Sequence, residues 1–176
     1  STNPVASMEI PANPEVDRPL SILRRHLVSC GYQEAITYSM VEPGLLAKFD
    51  DQNKPVELIN PISADMAVMR TSLWPGLVKA LQHNQNRQQS RVRLFETGQR
   101  FIPSDQGLQQ QDVFAGLIYG SRHPESWHGK AESVDYFDAK GDLESLLEIC
   151  GHKFSFEAAQ HVALHPGQSA AITLAG

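Results

Sequence analysis

The sequence predicts an α+β fold in which helices flank an antiparallel or mixed sheet. Leucines recur at three- and four-residue steps within residues 17–30 and 138–150, which is the spacing of an amphipathic helix. A strand through residues 92–101 is followed by turn-forming residues at 103–107 and an apolar return over 113–119, which predicts a β-hairpin. Strands joined by hairpins, with interspersed rather than strictly alternating helices, favour this class over a parallel α/β sheet.

Length and composition indicate one globular domain. The chain has 176 residues, of which 41% are hydrophobic and 20% charged, and a domain of this size buries roughly 70% of its unfolded surface. The formal net charge of -5 argues against a generally basic RNA-binding surface, although a local basic patch stays open. No apolar run approaches the ~20 residues that cross a bilayer and no secretory signal is visible, so a cytoplasmic protein is expected. The chain begins Ser-Thr-Asn without an initiator methionine, which indicates a piece of a longer polypeptide.

The N-terminal part predicts a linker, a helix and a strand. Residues 1–16 contain three prolines and little periodicity, which is typical of a linker. Asp17 can cap a helix that ends at Gly31, the usual left-handed stop. The apolar side of this helix holds Leu20, Leu23, Leu27 and Cys30. Residues 34–41 alternate, so a half-buried strand is expected with Ile36, Tyr38 and Met40 on one face.

A tight turn at Asn60-Pro61 divides the middle of the chain, because proline fixes its own φ and biases the preceding residue away from the helical region. Before this turn, a short helix is expected over 43–49 and a strand over 56–59. After it, Ser72 can cap a helix whose first turn tolerates Pro75. One side of that helix holds Leu73, Leu77 and Leu81.

The C-terminal part predicts a loop, a helix and two strands. The loop at 120–133 carries Trp127 and is expected to fold over the sheet edge. Asp138 can cap the next helix, which ends at Gly151. Its inward-facing residues are expected to be Leu143, Leu146, Leu147 and Cys150. One strand is marked by Phe154, Phe156 and Ala158, and another, without a visible partner, by Ile172 and Leu174.

The residues alone offer no familiar catalytic or metal-binding motif. Neither G-x-G-x-x-G nor G-x-x-x-x-G-K-[ST] occurs. His161 and His165 lie four residues apart, but His165 precedes a proline between predicted strands, so a shared helical face is not expected. His123 and His128 lack an obvious third ligand. The prediction is therefore no metal site, with these histidines on the surface or in packing.

Two charged clusters have a structural and a functional interpretation. Asp138 and Asp142 are expected to stabilise the first turn of their helix through its macrodipole, with Lys140 outside. A locally basic region is formed by Arg87, Arg91, Arg93 and Arg100. Guanidinium groups pair well with phosphate, so RNA contact through the first three of these arginines is one interpretation, and a solvated surface is the plainer one.

Several short sequence motifs, taken in their order along the chain, identify a family. NPIS, MRTSLWPGL and VRLFETGQRF, followed by WHGKAESVDYFDAKGDLESLLE and HPGQSAAI, closely resemble the β chain of bacterial phenylalanyl-tRNA synthetase. The matching region is the catalytic-like domain of that chain, a relative of class II aminoacyl-tRNA synthetase cores. The resemblance implies a class II-like domain over residues 17–176 that stops before the third class II motif.

The resemblance also implies a partner. Helix, glycine, aromatic and strand follow one another as in class II motif 1, which builds subunit interfaces. The implied interface residues are Leu20, Leu23, Leu27, Ile36, Tyr38 and Met40. The implied partner is the α subunit, which attaches phenylalanine to tRNA with ATP and magnesium; no cofactor is expected on this chain.

The second class II motif differs from that of an active core. In the active core, an arginine that follows an aromatic residue binds the α-phosphate of ATP, and an acidic residue lies two positions after that arginine. Here Ile102 follows Phe101 and stands in place of the arginine, and Ser104 replaces the acid. Arg100 is expected on the strand face opposite to Phe101 and is not expected to substitute. A non-catalytic scaffold is therefore predicted, with an RNA-binding module at residues 87–93 and a residually active adenylate-binding core as alternatives.

Overall fold

The computed structural model describes residues 20–124, 132–151 and 153–175, which form the α+β fold that the sequence predicts. The α-helices in these ranges are α1 (Leu20–Ser29), α2 (Pro43–Leu46), α3 (Trp74–Asn86) and α4 (Tyr136–Cys150), and Ala64–Met66 form a short 3-10 helix. The strands are β1 (Gln33–Glu34), β2 (Met40–Val41), β3 (Val68–Met69), β4 (Arg91–Ser104), β5 (Gly107–Gly120), β6 (Lys153–Ala158) and β7 (Ala170–Ala175). Among the described residues, every helix is too short or too polar to cross a bilayer.

Some predictions concern residues outside these ranges. They are the linker over 1–16, the cap at Asp17, and the positions of Trp127 and His128.

The β4–β5 hairpin forms the centre of the fold. Ser104 pairs with Gly107, so two residues make the turn, and the antiparallel register continues to Arg91 opposite Gly120. Gly107 has a φ of 110°, which residues with a side chain rarely adopt. β1 lies along the other edge of β4 in parallel, which gives a mixed three-stranded sheet. The predicted hairpin is confirmed, with a second strand that already begins at Gly107.

Helices cover both faces of this sheet because the side chains of β4 alternate between them. The core cluster between the sheet and the α1–α4 pair contains Leu27, Tyr32, Phe95 and Leu146. The cluster between the sheet and α3 contains Leu77, Val92 and Leu94. α1 and α4 thus stabilise one face, and α3 the other.

The helix ends follow the predictions in part. Gly31 and Gly151 have φ values of 85° and 74°, so both left-handed stops are confirmed. The predicted cap of α4 at Asp138 is wrong, because Asp135 accepts hydrogen bonds from the backbone at Phe137 and Asp138. Asp138 forms the other half of this capping box. At the start of α3, the boundary residue Leu73 makes no side-chain cap, and the predicted capping role of Ser72 is confirmed, because its hydroxyl accepts from the Trp74 N–H at 3.2 Å.

Three strand predictions need correction. Residues 34–41 form the two short strands β1 and β2 rather than one, because the chain leaves β4 after Ala35 and then pairs with β3. Residues 56–59 contribute a single bridge, from Glu57 to Val68. β7 has a partner after all: it pairs antiparallel with β6, with Leu174 opposite Phe154.

Candidate subunit interface

The structure separates the six predicted interface residues into a buried and an exposed group. The buried and half-buried members are Leu23, Leu27 and Met40. The exposed members are Leu20, Tyr38 and Ile36, which are 46%, 69% and 93% exposed. Leu27 and Leu23 belong to the core cluster under α1, so their periodicity reports packing within this chain. The exposed group offers apolar surface that a partner can cover.

Thr37 lies between the two most exposed of these side chains and points inward. Its backbone N–H donates to Glu96 Oε1 at 3.2 Å, and its hydroxyl donates to Glu96 Oε2 at 2.8 Å. The side chain also packs against Gly76 in the first turn of α3, where a Cβ atom would collide with the Thr37 hydroxyl. Neighbouring side chains of an extended segment point to opposite sides, so an inward Thr37 directs Ile36 and Tyr38 outward.

A buried ion pair completes this anchor. Arg70 Nη1 lies 2.8 Å from Glu96 Oε1, and the two side chains are 5% and 3% exposed. Arg70 Nη1 also donates to Thr37 Oγ1 at 3.1 Å, and Arg70 Nε donates to the Gln99 carbonyl at 2.8 Å. Gly98 leaves space for the guanidinium, since a Cβ there would lie 2.5 Å from Arg70 Nη2. The arginine, the glutamate and the threonine therefore fix the exposed segment to the edge of β4.

A second polar network ties α4 to the sheet. Asp142 Oδ2 accepts from the Tyr32 hydroxyl at 2.7 Å and from Arg93 Nη1 at 2.7 Å. Burial and the Asp142 carboxylate raise the pKa of the Tyr32 hydroxyl far above its ordinary value, which keeps it a donor. The expectation that Asp142 serves the first turn of its helix is wrong, because it lies beyond that turn and links α4 to Tyr32 and to Arg93 of β4. Lys140 pairs with Glu144 at 3.4 Å.

The three arginines proposed for RNA contact have different surroundings. Arg87 ends α3 and is exposed. Arg91 is half-buried, and burial together with the neighbouring Arg93 charge lowers the pKa of its guanidinium. Arg93 is committed to Asp142, with a side chain only 9% exposed, and its guanidinium lies 5.6 Å from the centre of the Tyr32 ring.

The hairpin places the residues of the altered second motif side by side. Ile102 is half-buried and pairs with Gln109, while the Ser104 hydroxyl donates to the Gly107 carbonyl at 2.8 Å. Arg100 lies two residues before Ile102, so the two share a strand face. Arg100 alternates with Phe101 as predicted, and the same alternation brings it to the face of Ile102, so strand face alone does not exclude it from the place of the missing arginine. Arg100 Nε donates to Gln111 Oε1 at 2.9 Å.

The histidines have local structural contacts. His161 packs edge-on against Trp74, with 5.2 Å between ring centres, and its Nδ1 accepts from the Ala163 N–H. His165 Nδ1 accepts from the Gly167 N–H in the same way. Both lie in turns, as the proline after His165 predicts.

Two exposed residues were missed by the sequence reasoning. Ile59 and Ile62 are 95% and 83% exposed, which makes them comparable to Ile36. They flank the Asn60-Pro61 turn that the sequence does predict. The available signal was a pair of large apolar residues on both sides of a turn, where polar residues are the rule.

Comparisons with known proteins give the family. The family model described as the phenylalanyl tRNA synthetase beta chain CLM domain matches residues 1–176. The phenylalanine–tRNA ligase beta subunits of Pseudomonas putida and Pseudomonas fluorescens are 55% and 54% identical over 171 residues, and that of Pasteurella multocida is 50% identical over 178. These alignments cover 96% to 98% of this chain, which spans 22% of the length of each relative. The chain belongs to the family of phenylalanyl-tRNA synthetase beta chain CLM domains.

Proposed function

We propose that this chain is a non-catalytic docking domain of a phenylalanyl-tRNA synthetase β chain. It holds the α subunit in position while that subunit attaches phenylalanine to tRNA in the cytoplasm, with ATP and magnesium bound by the α subunit. The name beta subunit, which the relatives carry, supports the existence of a partner subunit.

The observation that carries this proposal is the outward pair Ile36 and Tyr38 on an anchored backbone. Thr37, between them, is fixed by the buried Arg70–Glu96 pair. Burying a large apolar side chain contributes about 1.5–3 kcal/mol, and an anchored segment loses little conformational freedom on binding. Such a segment can therefore dock a partner tightly without first becoming ordered.

A subunit titration tests the proposal. Full-length β chain with Ile36→Asp and Tyr38→Asp is titrated with α subunit and compared with the unchanged chain. The matched control carries Phe137→Asp and Val162→Asp, which alter side chains that are 74% and 55% exposed elsewhere. The first variant is expected to weaken association by at least about tenfold, because charges then enter an apolar contact. Equal affinities of all three proteins would overturn the proposal.

The adenylate-binding alternative is favoured by one observation, the position of Arg100. Its half-buried guanidinium borders a cleft of about 350 Å³ that is also lined by Asp50, Trp74 and His161. Ile102 on the same strand face supplies no charge. Calorimetry of this chain with ATP and with phenylalanine separates the two accounts, since affinity tighter than about millimolar favours adenylate binding.

A further inference from the structure

A second exposed apolar feature lies at residues 59–62, which we call the isoleucine turn. Ile59 and Ile62 are 95% and 83% exposed, although isoleucine is among the residues most often found inside proteins. Asn60 and Pro61 between them are exposed as well. Two nearly bare isoleucines within four residues form a compact apolar tip.

The isoleucine turn is anchored on both sides. Before it, the Leu58 N–H donates to the Ala67 carbonyl at 2.9 Å, and the Val56 carbonyl accepts from the Met69 N–H at 2.9 Å. After it, the Ser63 carbonyl accepts from the Met66 N–H at 3.0 Å, which closes a short helical turn. Pro61 fixes its own φ. The tip therefore needs little ordering when it meets a partner.

The tip is separate from the Ile36–Tyr38 surface. Val41 of β2 and Glu57 both pair with Val68, so β3 lies between them. Tyr38 precedes β2, whose first residue lies opposite Met69 at one end of this ladder. The chain leaves for the isoleucine turn after Leu58, which bonds to Ala67 at the other end. The two apolar features therefore leave opposite ends of the β2–β3 ladder.

The charge around the tip limits what can cover it. Residues 55–69 contain Glu57 and Asp65 but no lysine or arginine, and both carboxylates are exposed. The exposed Lys54 directly precedes this range, so the residues that flank the tip closely, Glu57 two positions before Ile59 and Asp65 three positions after Ile62, are acidic and the nearest cation lies further away in the sequence. The two carboxylates disfavour RNA phosphates and anionic lipid headgroups at the tip. They complement a protein pocket with an apolar floor and lysine or arginine at its rim, since charges across an interface steer association.

We propose that the isoleucine turn inserts into an apolar, basic-rimmed pocket of the α subunit, as a contact separate from Ile36 and Tyr38. The identity of the partner rests on the proposed function. The burial of both isoleucines contributes to the affinity. The attraction of Glu57 and Asp65 to the basic rim of the pocket speeds association.

The test uses full-length β chain with Ile59→Ser and Ile62→Ser, titrated with α subunit. The matched control carries Phe137→Ser and Val162→Ser. The turn variant is expected to raise the Kd about tenfold or more, and the control less than about twofold. An exposed apolar side chain contributes to affinity only where the partner buries it. The melting temperature of the uncomplexed turn variant should not fall, since both side chains are exposed.

A charge variant tests the basic rim. Glu57→Lys with Asp65→Lys is expected to lower the association rate constant about tenfold at low salt, with the difference shrinking as salt is added. An unchanged rate would overturn the basic rim. Tighter binding of tRNA or anionic vesicles by the intact tip than by the serine variant would assign it to another partner and overturn the proposal.

The two interface proposals fail in different ways. An unchanged Kd for the turn variant, together with weaker binding by the Ile36→Asp and Tyr38→Asp variant, would overturn only the contact at the turn. The reverse pattern would overturn only the Ile36–Tyr38 site. If neither variant alters the Kd, both contacts are wrong.

Discussion

Arg70 Nη1 and Glu96 Oε1 lie 2.8 Å apart between side chains that are almost completely buried. Arg70→Met leaves the glutamate buried without its counter-ion and is expected to lower the free energy of unfolding by about 3–5 kcal/mol. Denaturant unfolding measures this loss. Adding Glu96→Leu should recover part of it, because the unpaired charge is then removed.

The control for this pair is Glu144→Gln, which replaces the exposed partner of Lys140 and should change stability by less than about 1 kcal/mol. Equal losses from the buried and exposed pairs would contradict the anchoring role of Arg70.

Gly76 and Gly141 give a matched pair of glycine-to-alanine changes in helices. An alanine Cβ at residue 76 would collide with Thr37, whereas at residue 141 it meets nothing within 4 Å. Gly76→Ala is therefore expected to destabilise the fold and to weaken α-subunit binding by displacing Thr37. Gly141→Ala is expected to stabilise it by about 0.5–1 kcal/mol, since alanine is the better helix former. Thermal unfolding of both variants checks this, and a stabilising Gly76→Ala would show that Thr37 moves freely.

Asp50 predicts a pH dependence. Its carboxylate accepts from the Thr71 hydroxyl at 2.6 Å and from the Asn53 amide at 2.9 Å. Burial raises the pKa of Asp50, but these and two backbone hydrogen bonds outweigh it and lower the pKa below the ordinary 3.8. The unfolded chain therefore takes up this proton first on acidification. The stability that Asp50 contributes is present above pH 3.8 and is lost as the pH falls through the lowered pKa.

The measurement is the melting temperature of the chain and of Asp50→Asn between about pH 6 and pH 3. The asparagine variant should be less stable at the upper end and lose less on acidification, while Asp51→Asn should follow the unchanged chain. A parallel loss in the chain and in Asp50→Asn would sink this assignment.

Arg93 and Arg87 should respond differently to replacement by glutamine. Arg93→Gln removes the 2.7 Å contact with Asp142 and is expected to lower the free energy of unfolding by about 1–3 kcal/mol. Arg87→Gln changes an exposed residue and should stay within about 0.5 kcal/mol. Chemical unfolding compares the two. A salt-dependent loss of tRNA affinity in Arg87→Gln with unchanged stability would instead favour the RNA-binding alternative.

The sequence predicts elements well where the signal is local. Gly31 and Gly151 end their helices because left-handed φ values favour glycine, and the β4–β5 hairpin follows from turn residues between two apolar runs. The ends of elements have a weaker local signal. Asp135 and Asp138 are chemically equivalent as caps, and only the position of the first helical turn distinguishes them.

The candidate interface was only partly predictable for a different reason. Alternation at Ile36, Thr37 and Tyr38 indicates that neighbouring side chains face opposite ways, but not which way faces the core. That choice depends on Glu96 and Arg70, which lie far away in the sequence and meet Thr37 only after folding. Leu27 is ambiguous in another way. Its helical spacing fits an interface and a core equally well, and the structure places it in the core.

The position of Glu96 in β4 has a consequence for the segment around Thr37. Its carboxylate is held by both Thr37 and Arg70, which lie in two different parts of the chain. Loss of this one side chain would therefore release both attachments at once, and with them the fixed outward orientation of Ile36 and Tyr38.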